Sequence, residues 1–184
     1  MTCTSLRLPL VVLLVTLPAA AQTQTPQPSH TTVKTNAKNN GANNEAEIRE
    51  LYDRWAKAFR VHDLDGIMSV YVSGDELMAY DIVPPLQYVG KDKYRKDYEE
   101  FLSQYQGPID IEYRDLRIIA GENVAFIHAL ERMSGTLKNG QKSDLWVRAT
   151  SGLRKINGKW LIVHDHISVP ADFETGKAAL DLKP

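Results

Sequence analysis

The sequence predicts an α+β fold in which a helical N-terminal half precedes a sheet of antiparallel strands. Apolar residues recur at helical spacing up to about residue 105, whereas strand-like segments joined by short turns fill the chain after Gly107-Pro108. This segregation along the chain favours an architecture in which the helices lie across one face of the sheet. A chain of 184 residues, 43% of them hydrophobic, is long enough for one core of ordinary size.

The first helix is predicted to run from Asn44 to about Arg60. Asn44 is a favourable N-cap residue, and the acidic Glu47 follows three positions later. The apolar residues of this segment recur at intervals of three and four and so share one helix face: Ile48, Leu51, Tyr52, Trp55 and Phe59.

A short second helix, capped by Asp63, is predicted to end near Val70, and a strand is predicted at about 77–82, where Pro84-Pro85 stops it. The third helix is predicted from Lys91 to about Gln104. Its aromatic residues are again spaced for one face: Tyr94, Tyr98, Phe101 and Tyr105.

Four strands are predicted in the C-terminal half, at Ile109–Ala120, Val124–Leu137, Leu145–Lys155 and Trp160–Val169. The turns between them contain Gly121-Glu122-Asn123, Asn139-Gly140 and Asn157-Gly158. Because such short turns join adjacent antiparallel strands, the four strands are predicted to form a meander.

The last two strands carry polar residues at every second position, including Asp144, Arg148, His164 and His166. A two-residue loop at Asn157-Gly158 would place Arg148 opposite Ile167, whereas a turn with Gly158 as a bulge residue would place it opposite His166. The second register is preferred. It predicts that Arg148, His164, His166 and Trp146 share the concave sheet face and that Asp165 points away from it.

The same register leaves an apolar outer face on the two strands, made of Leu145, Val147, Ala149, Leu161, Val163 and Ile167. Monomers seldom expose an apolar patch of this size. We therefore expect a homodimer that pairs through the outer sheet face.

Residues 1–21 are predicted to be a signal peptide, because Arg7 precedes the apolar run 8–17 and small residues end at Ala21. Cleavage would remove Cys3, the only cysteine, and would leave no membrane anchor. The segment 22–43 is rich in Thr, Gln, Pro and Asn and is predicted to be a disordered tether. We therefore expect a secreted or periplasmic protein whose folded domain spans 44–184.

The charge balance, 22 basic against 23 acidic residues, gives no basic surface that predicts nucleic-acid binding. The sequence contains no phosphate-binding loop, dinucleotide fingerprint or zinc-protease motif. Neither an organic cofactor nor a metal is predicted, and the expected partner is a small-molecule ligand.

Three segments resemble the SnoaL-like group of the nuclear transport factor 2-like superfamily, whose relatives include ketosteroid isomerase, scytalone dehydratase and polyketide cyclases. They are Tyr52-x-x-Trp55-x-x-Ala58 before Asp63-Leu64-Asp65-Gly66, the strand Asp144-x-Trp146-x-Arg148-x-Thr150, and Gly158-Lys159-Trp160 with the run 164–170. The resemblance implies a cone-shaped, cystatin-like fold. In it, a strongly curved, antiparallel-rich sheet wraps over about three N-terminal helices and opens into an apolar pocket, often in a dimer.

The resemblance also implies where the residues of a steroid isomerase would fall. Its general-base aspartate falls on Asp81, its oxyanion tyrosine falls on Trp55, and its protonated aspartate falls near Thr150. An indole N–H donates one hydrogen bond but cannot replace the phenol of a tyrosine. Steroid isomerase activity is therefore not expected.

The candidate catalytic residues are Asp81, His164, His166 and Arg148. The candidate ligand-binding residues are Trp55, Tyr71, Tyr94, Tyr98, His128 and Trp146. The histidine pair has three alternatives: hydrogen-bonded strand residues that orient Arg148, proton transfer, or metal ligation with Asp144 or His128 as a third ligand.

Two functions fit these candidates. The first is a cofactor-independent isomerase, cyclase or dehydratase that moves a proton on a small carbonyl compound, with Asp81 or His164 as base and Arg148 stabilising the oxyanion. The second is a non-catalytic secreted protein that binds a small anionic or aromatic ligand through Arg148. Burial and coupled pKa shifts of His164 and His166 would favour the enzyme, whereas a pocket whose polar groups are all mutually satisfied would favour the binding protein.

Overall fold

The computed structural model describes the backbone from Val33 to Pro184 and the side chains from Asn40 onward. The predicted signal peptide and residues 22–32 of the predicted tether lie outside the described residues.

The helices are α1 (Val33–Arg60), α2 (Leu64–Met68) and α3 (Lys91–Ser103). The prediction that α1 begins at Asn44 was wrong, because Asn44 lies within the helix and is buried. Its side-chain amide donates to the Gly121 carbonyl at 2.8 Å and its amide oxygen accepts from Lys155 Nζ at 2.9 Å. Among the helices from Val33 onward, none is long and apolar enough to cross a membrane.

The strands form one six-stranded sheet: β1 (Met78–Tyr80), β2 (Tyr88–Val89), β3 (Tyr105–Ala120), β4 (Val124–Leu137), β5 (Lys142–Ile156) and β6 (Lys159–Ser168). The order is β2-β1-β6-β5-β4-β3, with β1 parallel to β6 and every other pair antiparallel. The predicted α+β class and the C-terminal meander are confirmed. The short strand β2 was not predicted.

The pairing of β5 with β6 differs from both predicted registers. Asn157 and Gly158, with φ of 50° and 77°, form a two-residue loop closed by the Ile156–Lys159 pair. Val163 is then an extra residue on β6, because Leu153 pairs with Ile162 and Gly152 pairs with His164. This bulge places Arg148 opposite Ser168 rather than opposite His166 or Ile167.

The bulge also inverts the predicted faces of the sheet. An extra residue reverses the alternation of side chains beyond it, so Asp165 and Ile167 turn to the covered face while His164 and His166 turn outward. Arg148 is exposed on the outer face with them. The predicted concave cluster of Arg148, His164, His166 and Trp146 was therefore wrong, as was the prediction that Asp165 points away.

The apolar residues of β5 cover the helices instead of forming the outer face. Val147 is 2% exposed and Ala149 is 9% exposed, and both alternate with outward-facing Arg148. The composition predicted for the outer patch was therefore wrong. Pairing of two copies through the outer face stays a prediction.

Candidate functional site

A cavity of about 350 Å³ lies between α1, α3 and the concave face of the sheet. Its walls are largely aromatic and include Tyr52, Trp55, Phe59, Tyr71, Tyr94, Tyr98 and Phe101. The exposed lining residues Val83, Pro84, Glu100 and Gln104 mark its opening. Because its apolar walls enclose only a few polar groups, the cavity has the character of a small-molecule site.

The cavity brings together five of the predicted site residues. Asp81, Trp55, Tyr71, Tyr94 and Tyr98 all line it. The helical spacing of the aromatic residues pointed to Trp55, Tyr94 and Tyr98, and the resemblance pointed to Asp81.

The other five predicted site residues do not line the cavity. Arg148, His166 and His128 are exposed, and Trp146 shares the outer face of β5 with Arg148. His164 Nδ1 lies 3.0 Å from the Met78 carbonyl oxygen. Within the described residues, no three His, Cys, Asp or Glu side chains are grouped to hold a metal ion.

Asp81 follows β1 directly and is partly buried at the edge of the cavity. One carboxylate oxygen accepts from the Ile82 backbone N–H at 2.6 Å, and the other lies 3.5 Å from the Tyr94 hydroxyl. Burial raises the pKa of Asp81 to about 6 against the opposing effect of the Ile82 hydrogen bond, and the charges of Asp97 and Asp165 add to the increase.

Asp165 is 5% exposed and anchors a buried hydrogen-bond network. Its carboxylate accepts from the Ser151 hydroxyl at 2.7 Å and from the Tyr71 hydroxyl at 3.0 Å. The network extends at both ends, since Tyr52 donates to Ser151 at 2.7 Å and the Tyr71 and Tyr98 hydroxyls lie 2.7 Å apart. Burial raises the pKa of Asp165, and the bonds from Ser151 and Tyr71 counteract part of that increase.

Glu131 on β4 is a second buried carboxyl, which the sequence reasoning missed. It is 5% exposed and lines the cavity, and no hydrogen bond from the described residues offsets the effect of its burial. Burial raises the pKa of Glu131 to about 8, with smaller contributions from the charges of Asp165 and Asp81. Glu131 is therefore largely protonated at neutral pH.

Trp55 adds a free donor to the cavity wall. The residue is 7% exposed, and its indole N–H has no partner in the part of the chain that the structure describes. A buried donor without a partner carries a desolvation penalty of about 1–3 kcal/mol. Trp55 and Glu131 thus each bring a buried polar group to the residues that line the cavity.

The lining of the cavity is acidic. Its ionisable groups, apart from tyrosines, are Asp81, Asp97, Glu100, Glu131 and Asp165, and no Lys, Arg or His from the described residues joins them. The expectation that Arg148 binds an anionic ligand here was therefore wrong, because its guanidinium lies on the other side of the sheet.

The family of the chain follows from comparison with known proteins. Residues 48–172 match the model of the SnoaL-like domain. None of the curated proteins matches the chain. A solved structure of an NTF2-like protein of unknown function from Pseudomonas putida KT2440 is 36% identical, with a TM-score of 0.70, over 78% of this chain and 98% of that one.

More distant structures share the fold. A candidate scytalone dehydratase from Novosphingobium aromaticivorans is 12% identical over 80% of this chain and 99% of its own, with a TM-score of 0.65. A candidate dehydratase of the NTF2-like family from Streptomyces avermitilis is 13% identical over 70% and 97%, with a TM-score of 0.61. The chain therefore belongs to the SnoaL-like family of the nuclear transport factor 2-like superfamily, and it is a small-molecule pocket protein of that family.

Proposed function

We propose that this protein is a cofactor-independent enzyme of the isomerase, cyclase or dehydratase type that transfers a proton on a small carbonyl compound. The observation that carries the proposal is the pair of carboxyls in the cavity, Asp81 and Glu131, with pKa values of about 6 and about 8. At neutral pH Asp81 is ionised and Glu131 is protonated. One can accept a proton while the other donates a hydrogen bond.

Asp81 is the proposed general base. A carboxylate with a pKa near 6 is mostly ionised at neutral pH, and it is a stronger base than an ordinary aspartate. One carboxylate oxygen accepts the short hydrogen bond from the Ile82 N–H, whereas the other has only the longer, weaker contact with the Tyr94 hydroxyl. That second oxygen is the atom that takes the α-proton of the substrate.

Trp55 and Glu131 are the proposed oxyanion donors. Loss of the α-proton converts the carbonyl oxygen to an enolate oxygen, which is stabilised by donors already in place. Both residues line the cavity and are buried, and the Trp55 N–H has no hydrogen-bond partner among the described residues. We assign these two donors to the enolate oxygen. Glu131 thus takes the role that the resemblance assigned to the vicinity of Thr150, which lies opposite His166 on the outer face.

The buried network around Asp165 is proposed to hold the aromatic wall in place. Tyr71 donates to Asp165, the Tyr98 hydroxyl bonds to the Tyr71 hydroxyl, and the two rings pack 6.1 Å apart. Each carboxylate oxygen of Asp165 already accepts one hydroxyl donor, from Tyr71 on one side and Ser151 on the other, so the carboxylate is held within the protein. Asp165 is therefore a positioning residue.

The test is exchange of α-protons for deuterium in small ketones, followed by NMR in deuterated buffer. We expect a bell-shaped dependence of the rate on pH. The rate rises through about pH 6, where Asp81 loses its proton, and falls through about pH 8, where Glu131 ionises. Binding of the same ketones with no exchange at any pH would favour a non-catalytic binding protein instead.

A homodimer through the outer sheet face is also proposed. Ile119, Val124 and Phe126 remain 62%, 64% and 45% exposed, and Phe126 pairs with Ile119 across β3 and β4. We expect sedimentation velocity to show a dimer at micromolar concentration and Phe126→Glu to shift it to a monomer without unfolding. A monomeric wild type would contradict the pairing.

Export is proposed on the N-terminal sequence alone. Arg7, the apolar run 8–17 and the small residues up to Ala21 support it. N-terminal sequencing of the mature protein is expected to find a start after Ala21, and a start at Met1 would contradict export with cleavage.

A further inference from the structure

We propose that the substrate carries a positive charge: the cavity accepts a carbonyl compound whose ammonium group lies at the opening, next to Asp97 and Glu100. This inference deepens the proposed function and rests on it for the position of the carbonyl. The sequence suggested an anionic ligand, whereas this inference assigns a cationic one.

The first support is the charge of the cavity opening. Asp97 and Glu100 lie one helical turn apart on α3, and Asp81 lines the same cavity. The Tyr88 hydroxyl donates to Asp97 at 2.7 Å, but no cationic side chain of the described residues lines the cavity. Carboxyls gathered without a counter-charge repel one another, and a bound cation relieves this repulsion.

The direction of the pKa shifts agrees with this reading. Burial raises the pKa of Asp97 and Asp81, and the charge of Glu100 raises that of Asp97 further. A cation at the opening would favour the ionised form of both carboxyls. Binding of a cation would thus leave Asp81 ionised for its role as base.

The second support is the aromatic wall. The Tyr94 and Tyr98 rings both line the cavity with their centroids 4.8 Å apart, and Asp97 directly precedes Tyr98 on α3. Aromatic faces attract ammonium groups through the quadrupole of the ring.

The third support is independent of the acidic opening. Trp55, a lining residue of the cavity, is 7% exposed, and its indole N–H has no hydrogen-bond partner among the described residues. Glu131, another lining residue, is 5% exposed, and no hydrogen bond offsets the effect of burial on its pKa. A donor of this kind requires an acceptor, which a bare hydrocarbon cation lacks. The ligand therefore combines an oxygen acceptor at one end with a cationic group at the other.

The experiment compares three phenyl ketones by isothermal titration calorimetry at neutral pH. Phenacyltrimethylammonium carries the cation, neopentyl phenyl ketone is its neutral isostere, and benzoylpropionate carries an anion. We expect the cation to bind at least about tenfold more tightly than the neutral ketone, and the anion to bind more weakly than both.

The double variant Asp97→Asn/Glu100→Gln is expected to reduce the preference for the cation to less than about threefold without weakening the neutral ketone. The matched control is Asp53→Asn, which removes one negative charge from an exposed position of α1 outside the cavity and should keep the full preference.

Equal or tighter binding of the neutral ketone, or no saturable binding of the cation, overturns the inference. The wild-type ratio alone decides this, so the inference stays testable if the double variant does not fold. Failure here is separable from failure of the proposed function. If the neutral ketone binds as tightly as the cation and exchanges its α-protons, the proposed enzyme stands and the charge preference falls. If the cation binds preferentially without exchange, the charge preference stands and the proposed enzyme falls.

Discussion

Asp81→Asn is expected to lower the rate of α-proton exchange by about 10²–10⁴-fold, the usual contribution of a positioned general base. Asparagine has nearly the same shape and its amide oxygen can still accept from the Ile82 N–H, so the local backbone is preserved. The amide nitrogen has no basic lone pair at neutral pH. The variant can therefore bind the substrate but cannot take its proton.

The rising limb of the pH profile provides a second measurement on the same variant. In the wild type the rate increases as Asp81 ionises at about pH 6, and any residual rate of the variant should lack that limb. Asp53→Asn, at an exposed position of α1, serves as the control and should retain the wild-type rate. A folded Asp81→Asn protein with an unchanged rate and pH profile would eliminate Asp81 as the base.

The helical half of the molecule could be predicted because apolar residues three and four positions apart indicate a helix and no other regular structure. Apolar residues three and four apart on α1 and α3 cover the sheet, and this periodicity places Trp55, Tyr94 and Tyr98 on the cavity wall. Asp81 was found through the resemblance rather than through periodicity. Its position after a short strand carries no other signal.

The faces of the last two strands could not be predicted in the same way. A bulge at Val163 adds one residue to β6, and no composition signal marks it, because Val163 is an ordinary strand residue. On β5 the apolar alternation alone would have given the observed faces, with Val147 and Ala149 covered and Arg148 exposed. The faces of β5 were predicted wrongly because the polar residues, rather than the alternating apolar residues, were used to choose the concave face.

Glu131 could have been found from the sequence. Ala125, Ile127 and Ala129 alternate along the covered face of β4, and the same alternation places Glu131 on that face. A glutamate at a position where apolar residues are expected signals either a buried partner or a function. No basic side chain pairs with it in the described residues, and this absence favours function.

Burial of Glu131 also has a cost in stability, and that cost should depend on pH. In the folded protein the pKa of Glu131 is raised to about 8, whereas the unfolded chain should have the ordinary value of 4.5. Between these values the folded state holds a proton that the unfolded state has released. Because the folded state binds more protons, its free energy of unfolding falls as pH rises through this window, by at most about 1.4 kcal/mol per pH unit.

Glu131→Gln is expected to remove this contribution while keeping the size and neutrality of the protonated side chain. Relative to wild type, the variant should gain up to about 4 kcal/mol between about pH 5 and pH 8 in urea unfolding. Asp81 and Asp165 also have raised pKa values, but they are present in both proteins and largely cancel in the difference. Glu122→Gln, in the exposed turn before β4, is the matched control and should show no such gain. A constant difference between Glu131→Gln and wild type across this range would mean that Glu131 is ionised in the folded protein, and it would remove both the proposed oxyanion donor and the falling limb of the pH profile.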